Sequence, residues 1–151
     1  MGHHLHTTGE EFMQKQVFRE DLLTNPGEIT VGLHLDDSGE GGDDLADGDN
    51  VGDVTTEPTG SNYNRQTASF ESADFDPEEN ADGNWQVIVD DLTFDTDDSD
   101  EDIDSYFIVV DFNADSGVDG DNLFWSGPLD QLYDLTHVDE FVLQGAGLEL
   151  D

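Results

Sequence analysis

The chain has 151 residues, the length of one domain with a modest core. It carries 39 acidic and 3 basic side chains, a formal net charge of -36, and no cysteine. This charge excludes electrostatic binding to nucleic acid or anionic membranes, and the lack of cysteine excludes disulfides and thiolate zinc sites. Whole-chain disorder is disfavoured because patterned apolar segments lie between the acids, and hydrophobic residues still make up 34% of the chain.

The excess of acid predicts a protein adapted to multimolar salt. At molar ionic strength the Debye length falls to about 3 Å, so most of the self-repulsion disappears. Only Lys15, Arg19 and Arg65 are cationic. A DNA mimic that binds a basic protein is an alternative interpretation of the same charge.

A short helix is predicted at the N-terminus. Thr8-Gly9-Glu10-Glu11 has the S/T-x-x-E form of a capping box. The apolar residues that follow give a helical stripe of about three turns. Within this arm we expect Phe12, Val17 and Phe18 to form an interface with a neighbouring subunit.

No signal peptide or membrane-spanning segment is predicted. The longest apolar run, residues 107–110, is far shorter than the roughly 20 residues of a membrane helix. The N-terminus also lacks a basic region followed by an apolar one.

The rest of the chain alternates short apolar segments with acidic turns, which predicts an all-β, mostly antiparallel sandwich or barrel of six to eight strands. The predicted strands cover residues 29–35, 63–70, 85–94 (with a bulge near 90–91), 106–112, 122–126, 132–135 and 141–150. The most apolar of these, 106–112, should lie at the centre of a sheet. We predict one domain, with a helical arm (1–28), a sandwich (29–151) and acidic loops at 36–53, 95–104 and 113–121. The first loop is long and is expected to be exposed.

One acidic loop has the spacing of calcium ligands. Asp111, Asn113, Asp115 and Asp119 follow a D-x-N-x-D pattern that suits a hard cation. However, Ser116 replaces the required glycine, and Asn122 replaces the glutamate at the twelfth position. An acidic hairpin turn is therefore favoured, with calcium, magnesium or monovalent cations held weakly at most. No other cofactor is expected.

Catalytic patterns are missing from the sequence. It contains no G-x-S-x-G, H-E-x-x-H or P-loop motif, and carboxylate pairs are uninformative among 39 acids. His34, on the polar side of its strand, and His137, in a loop, are interpreted as surface residues. The sequence predicts a protein that is not an enzyme.

Arg65 lies mid-strand in Tyr63-Asn64-Arg65-Gln66. Its guanidinium could pair bidentately with a carboxylate, or it could form an exposed ion pair worth less than about 1 kcal/mol. Both alternatives remain open on the sequence alone.

Several segments resemble small β-sandwich virion structural proteins of tailed phages and haloarchaeal tailed viruses. An E-x-x-G turn (Glu57-Pro58-Thr59-Gly60) precedes a Y-x-R-Q-x-x-x-F segment (residues 63–70). Asn122-Leu123-Phe124-Trp125-Ser126-Gly127-Pro128-Leu129 resembles their N-L-L-F-x-G-x-L hairpin, and residues 141–150 resemble their closing F-x-x-G-x-L-x-L strand. The similarity runs from about residue 29 to the end and departs at the acidic insertions 36–53 and 95–104.

The resemblance implies a non-enzymatic virion protein in which Tyr63, Arg65 and Gln66 are structural or interface residues. Together with the charge, it suggests a haloarchaeal tailed virus whose particles assemble in the host cytoplasm at high salt. The expected role is capsid decoration or a turret on the major capsid protein, with a tail or baseplate protein as the alternative. The expected partners are other copies of the chain and viral capsid or tail proteins, without nucleic acid or membrane. A host-directed binding module is the rival from another class.

Overall fold

A computed structural model describes residues 4–18, 28–68, 75–79, 81–112, 120–145 and 147–150. They form a helix, α1 (Thr7–Phe18), two 3-10 turns (Ser38–Glu40 and Val51–Asp53) and ten strands. The strands are β1 His4–Leu5, β2 Glu28–His34, β3 Gln66–Ala68, β4 Phe75–Glu79, β5 Trp85–Val89, β6 Leu92–Asp95, β7 Asp102–Phe112, β8 Gly120–Asp134, β9 Glu140–Leu143 and β10 Gly147–Leu150. The predicted all-β, antiparallel class with one N-terminal helix is confirmed, and none of the described sheets closes into a barrel.

The largest sheet has five strands in the order β1-β8-β7-β2-β3. The prediction that the most apolar segment is central is confirmed, because β7 pairs with β8 on one side and β2 on the other. Both faces of β7 are buried from Tyr106 to Val110. A strand covered on both faces has a continuous apolar run instead of an alternating pattern.

Two apolar clusters cover the opposite faces of this sheet. The first, here called the strand-covered core, combines Val31, Tyr106 and Trp125 of the large sheet with Phe94 and Leu143 from the two-stranded sheet β6-β9. Val89 of the three-stranded sheet β10-β5-β4 joins the same cluster. On this face, the large sheet and the two smaller sheets thus pack together as a sandwich.

The second cluster, here called the loop-covered core, lies on the other face. It contains Phe107, Val109 and Leu123 from the sheet and Leu45 from the acidic segment 36–54. The prediction that this segment is an exposed loop is wrong at Leu45, which is only 5% exposed. Because the segment covers the sheet, the polar side of β2 is also buried. His34 is fully buried, so its interpretation as a surface residue is wrong.

Several strand boundaries differ from the predicted ones. The segment 85–94 divides into β5 and β6, and 141–150 divides into β9 and β10, which belong to different sheets. The strand β4 was not predicted, because its Asp-Pro-Glu-Glu sequence is unusual in strands; it lies at a sheet edge, where proline is tolerated. The acidic loops are also shorter, since β6 ends at Asp95, β7 starts at Asp102 and β8 starts at Gly120.

The start of helix α1 contacts strand β8 of the large sheet in the same chain. Leu5 pairs with Trp125 of β8, and the Thr8 hydroxyl donates to the Leu123 carbonyl at 2.9 Å. The predicted capping box does not start the helix, because the helix already begins at Thr7. The side chains of Phe12, Val17 and Phe18 lie outside the described part of the structure, so their interface role stays a prediction.

Candidate functional site

Glu57, Tyr63 and Arg65 form one hydrogen-bonded cluster beside β2. Arg65 donates from Nε to Oε1 and from Nη2 to Oε2 of Glu57, both at 2.9 Å. The Tyr63 hydroxyl donates to Glu57 Oε1 at 3.0 Å and accepts the Leu33 N–H at 2.8 Å. Of the two alternatives for Arg65, the bidentate pair is therefore the one that forms. Its partner Glu57 was not predicted, although both belong to the motifs of the resemblance.

The same cluster reaches the loop-covered core. The Arg65 guanidinium carbon lies 4.9 Å from the centroid of the Phe107 ring, a cation–π contact. The ring approaches so closely because Gly32 has no side chain. A Cβ at that position would lie 2.3 Å from Phe107 Cζ and 2.9 Å from Glu57 Oε1.

The electrostatics of the cluster of Glu57, Tyr63 and Arg65 favour a structural role. Burial and the neighbouring Glu57 carboxylate raise the pKa of Tyr63. The hydrogen bond to Glu57 raises the pKa of Arg65. The phenol thus stays neutral and the guanidinium stays charged near neutral pH. Gln66 starts β3, and its amide donates to the Asn64 carbonyl at 2.9 Å.

A second cluster fastens the acidic segment to the sheet. His34 Nδ1 lies 3.0 Å from Asp43 Oδ2, and both side chains are fully buried. Asp43 also accepts the Thr55 N–H at 2.9 Å and the Thr56 hydroxyl at 2.8 Å. Burial alone would raise the pKa of Asp43, but the hydrogen bonds from His34, Thr55 and Thr56 outweigh it and hold the pKa well below its usual value.

Other carboxylates hold neighbouring loops in the same way. Asp104, only 3% exposed, accepts the backbone N–H groups of Asp36 at 2.7 Å and Asp37 at 3.1 Å. Asp98 accepts the Ser61 N–H at 2.7 Å, and Glu101 accepts the Thr59 N–H at 2.9 Å. These acids provide the acceptors that a strand ladder would otherwise supply to the backbone. They are therefore part of the fold and are more than solvated charge.

The predicted metal ligands fall largely outside the described residues. Asp111 lies near the end of β7, opposite Glu28 of β2 and Asp121 of β8. Asn113, Asp115 and Asp119 lie outside the described residues, between the end of β7 and the start of β8. In the described ranges no group of three histidines or acids could hold a metal ion. Weak cation binding by these four residues stays a prediction.

Two clefts open on the surface. The first, here called the β8–β9 cleft, has a volume of about 470 Å³ and is lined by Tyr106, Pro128, Leu129, Asp130, Tyr133 and residues 141–145. The second is a polar groove of about 610 Å³ lined by Asn62, Asn64, Gln66, Thr93, Asp95, Asp97, Asp139 and Glu140. The first combines aromatic rings with a single acid, whereas the second contains only hydrogen-bonding side chains.

No protein-family model, curated protein or solved structure matches the chain. Among the described residues, no helix combines the length and apolarity needed to cross a membrane.

Proposed function

We propose that the chain is a non-enzymatic structural protein of a haloarchaeal tailed-virus particle, where it decorates the capsid by binding the major capsid protein. One observation carries the proposal. Glu57, Tyr63 and Arg65, which come from the two motifs of the resemblance, meet in a single hydrogen-bonded cluster.

The geometry of these motif residues favours a structural role over a chemical one. A tyrosine whose pKa is raised, and whose hydroxyl already donates to Glu57 and accepts from Leu33, is poorly suited to proton transfer at neutral pH. Instead, the cluster fixes residues 57–65 against β2, next to the polar groove. A motif that holds a loop in place suits a protein that presents a surface to its neighbours.

The acidic composition supports the high-salt setting. The net charge of -36 opposes compaction in dilute buffer, and molar salt removes most of this cost. Several carboxylates also serve as backbone acceptors, so the excess of acid is compatible with an ordered fold.

The copy number and position of the chain in purified particles test the proposal. We expect quantitative mass spectrometry to find it in copy numbers comparable to the major capsid protein, and image reconstruction to place it on the capsid surface. A few copies at the tail would favour the baseplate alternative. Absence from particles, together with co-purification with a basic host protein, would contradict a virion role and favour the DNA mimic.

A further inference from the structure

The β8–β9 cleft lies beside an irregularity in β8. Ile103 pairs with Tyr133 and Ser105 pairs with Pro128, so β8 advances by five residues while β7 advances by two. Residues 129–132 therefore have no partner on β7 in the described pairing, and Leu129 and Asp130 line the cleft. Irregular strand segments of this kind re-aim side chains and are frequent next to functional sites.

Two aromatic rings form one wall of the cleft. Tyr133 of β8 and Phe141 of β9 have ring centroids 5.1 Å apart and planes at 76° to each other. Both side chains are half-buried, because they pack against the strand-covered core and also line the cleft. The core thus holds each ring in place while part of it faces the cleft. A wall that is ordered before binding costs little conformational entropy when a ligand stacks on it.

Hydrogen-bond acceptors lie beside this wall. Asp130 is exposed and accepts the Tyr133 hydroxyl through Oδ1 at 2.6 Å, so its Oδ2 can accept from a ligand. Gln144 is also exposed and lines the cleft. Its Nε2 donates to Asp91 Oδ2 at 3.2 Å, and its Oε1 can accept from a ligand. A ligand that fits both features has an apolar face and several donor groups.

A hexopyranose has this combination of groups. Its C–H groups form the faces of the ring, and its hydroxyls surround the edge. The face can stack on aromatic rings while the hydroxyls donate to a carboxylate. The cleft volume of about 470 Å³ lies within the roughly 300–1,000 Å³ of small-molecule sites. A quaternary ammonium ion could contact the rings, but it has no hydroxyl to donate to Asp130 or Gln144.

The charge of the lining favours a neutral sugar. An acidic sugar would bring its carboxylate near Asp130, and like charges repel. A cationic ligand would gain little long-range attraction at molar salt, where the Debye length is about 3 Å. Ring contacts and hydrogen bonds act at short range and do not require a charged ligand.

We propose that the β8–β9 cleft binds one neutral hexopyranose unit of a glycan. The C–H face of the sugar lies against Tyr133 and Phe141, and its hydroxyls donate to Asp130 and Gln144. This binding role goes beyond capsid decoration and does not depend on it, because a single chain supplies the whole cleft.

Saturation-transfer difference NMR of the full chain in about 2 M KCl tests the proposal. The probes are the methyl pyranosides of glucose, galactose and mannose, with methyl glucuronide and tetramethylammonium as the charged comparisons. We expect at least one neutral glycoside to receive saturation, strongest at the ring protons of one face, because that face contacts the aromatic wall. The two charged probes should receive little.

Variants locate the binding in the cleft. Asp130→Ala should weaken binding of the neutral glycoside by at least about ten-fold, because it removes a charged acceptor. Phe141→Leu keeps an apolar side chain without the ring and should weaken binding by about three- to ten-fold. The matched controls are Asp134→Ala and Leu132→Ala, which change exposed residues of β8 outside the lining and should leave binding unchanged. Circular dichroism checks folding, and if Phe141→Leu is unfolded, the exposed Asp130 decides.

Three results would each overturn the proposal. The first is the lack of saturation of all three neutral glycosides, with or without binding of tetramethylammonium. The second is equal saturation of methyl glucuronide, which would remove the restriction to neutral sugars. The third is unchanged binding in Asp130→Ala. A chain that binds a glycoside but is missing from particles would remove the virion role and keep the sugar site, whereas an abundant particle protein without glycoside binding would do the opposite.

Discussion

The two faces of the large sheet are covered by different physical means. The strand-covered core is closed by strands whose apolar side chains pack on Val31, Tyr106 and Trp125. The loop-covered core is smaller and is closed by a Gly-rich acidic segment that contributes Leu45 and is fastened by Asp43 and Asp104. The first depends on apolar burial, and the second depends in addition on carboxylates that accept hydrogen bonds. The two faces should therefore respond differently to mutation, acid and salt.

The largest effect is expected from truncation in the strand-covered core. Phe94 is fully buried, so Phe94→Ala should lower the free energy of unfolding by about 3–5 kcal/mol. Leu45→Ala on the other face should cost about 2 kcal/mol, the lower end of its class, because the segment can partly close around the space. Urea unfolding in high salt measures both, with exposed Val142→Ala as a control. Equal losses of unfolding free energy in Phe94→Ala and Leu45→Ala would contradict the expected difference between the two faces.

Asp43→Ala should cost about 2–3 kcal/mol, because it leaves His34 and the donors of Thr55 and Thr56 without their common acceptor. Hydrogen exchange should rise in residues 36–54 and much less in β7. The neighbouring acid Asp44 is exposed and has a left-handed backbone (φ 52°), which asparagine tolerates. Asp44→Asn should therefore change little. Similar hydrogen exchange in Asp43→Ala and Asp44→Asn would contradict the idea that the buried Asp43 side chain fastens this segment.

Acid should loosen the loop-covered face first. Folding lowers the pKa of Asp43, which fastens the segment 36–54, so the native state binds fewer protons there than the unfolded state. Its stabilising contribution is complete above the ordinary carboxyl pKa of about 4 and is lost as the pH falls toward the lowered value. Exchange in residues 36–54 should increase below about pH 4 before β7 is affected. Simultaneous loss of both faces would contradict this order.

Salt should have a smaller effect for each site, concentrated where acids lie opposite one another. Glu28, Asp111 and Asp121 occupy adjacent positions on three strands, and Asp95 lies opposite Glu140. Like charges in such positions cost about 0.2–1 kcal/mol per pair. Asp111→Asn should therefore lower the salt concentration at which circular dichroism shows half-folding, whereas exposed Asp100→Asn should not. A fold equally stable in dilute and molar salt would contradict the halophilic interpretation.

Sequence periodicity predicted the fold class and the central strand because both depend on apolar patterning. It did not predict the position of Leu123 and Trp125, which are two residues apart yet belong to opposite cores. A bulge makes β7 advance by one residue, from Ile108 to Val109, while β8 advances by two, and this reverses the alternation. No local sequence pattern indicates such a shift in pairing register.

The sequence identified a residue of the candidate site only where that residue type is rare in the chain. Arg65 was conspicuous as one of three cations, whereas its partner Glu57 is one of 39 acids. His34 was wrongly predicted to be a surface residue, because its burial depends on the acidic segment 36–54, whose Asp43 contacts it and lies nine residues later in the chain. The β8–β9 cleft depends on a three-residue irregularity in pairing, which is a tertiary property.

Because of the irregularity in β8, only a deletion of a particular length would restore regular pairing between β8 and β7. Removal of Leu129, Asp130 and Gln131 together would let β8 pair with β7 residue by residue from Pro128 to Tyr133. Removal of only one or two would leave part of the excess and change the spacing of Leu132 from Tyr106. Deletions of three consecutive codons should therefore be accepted here with the fold intact and the cleft erased.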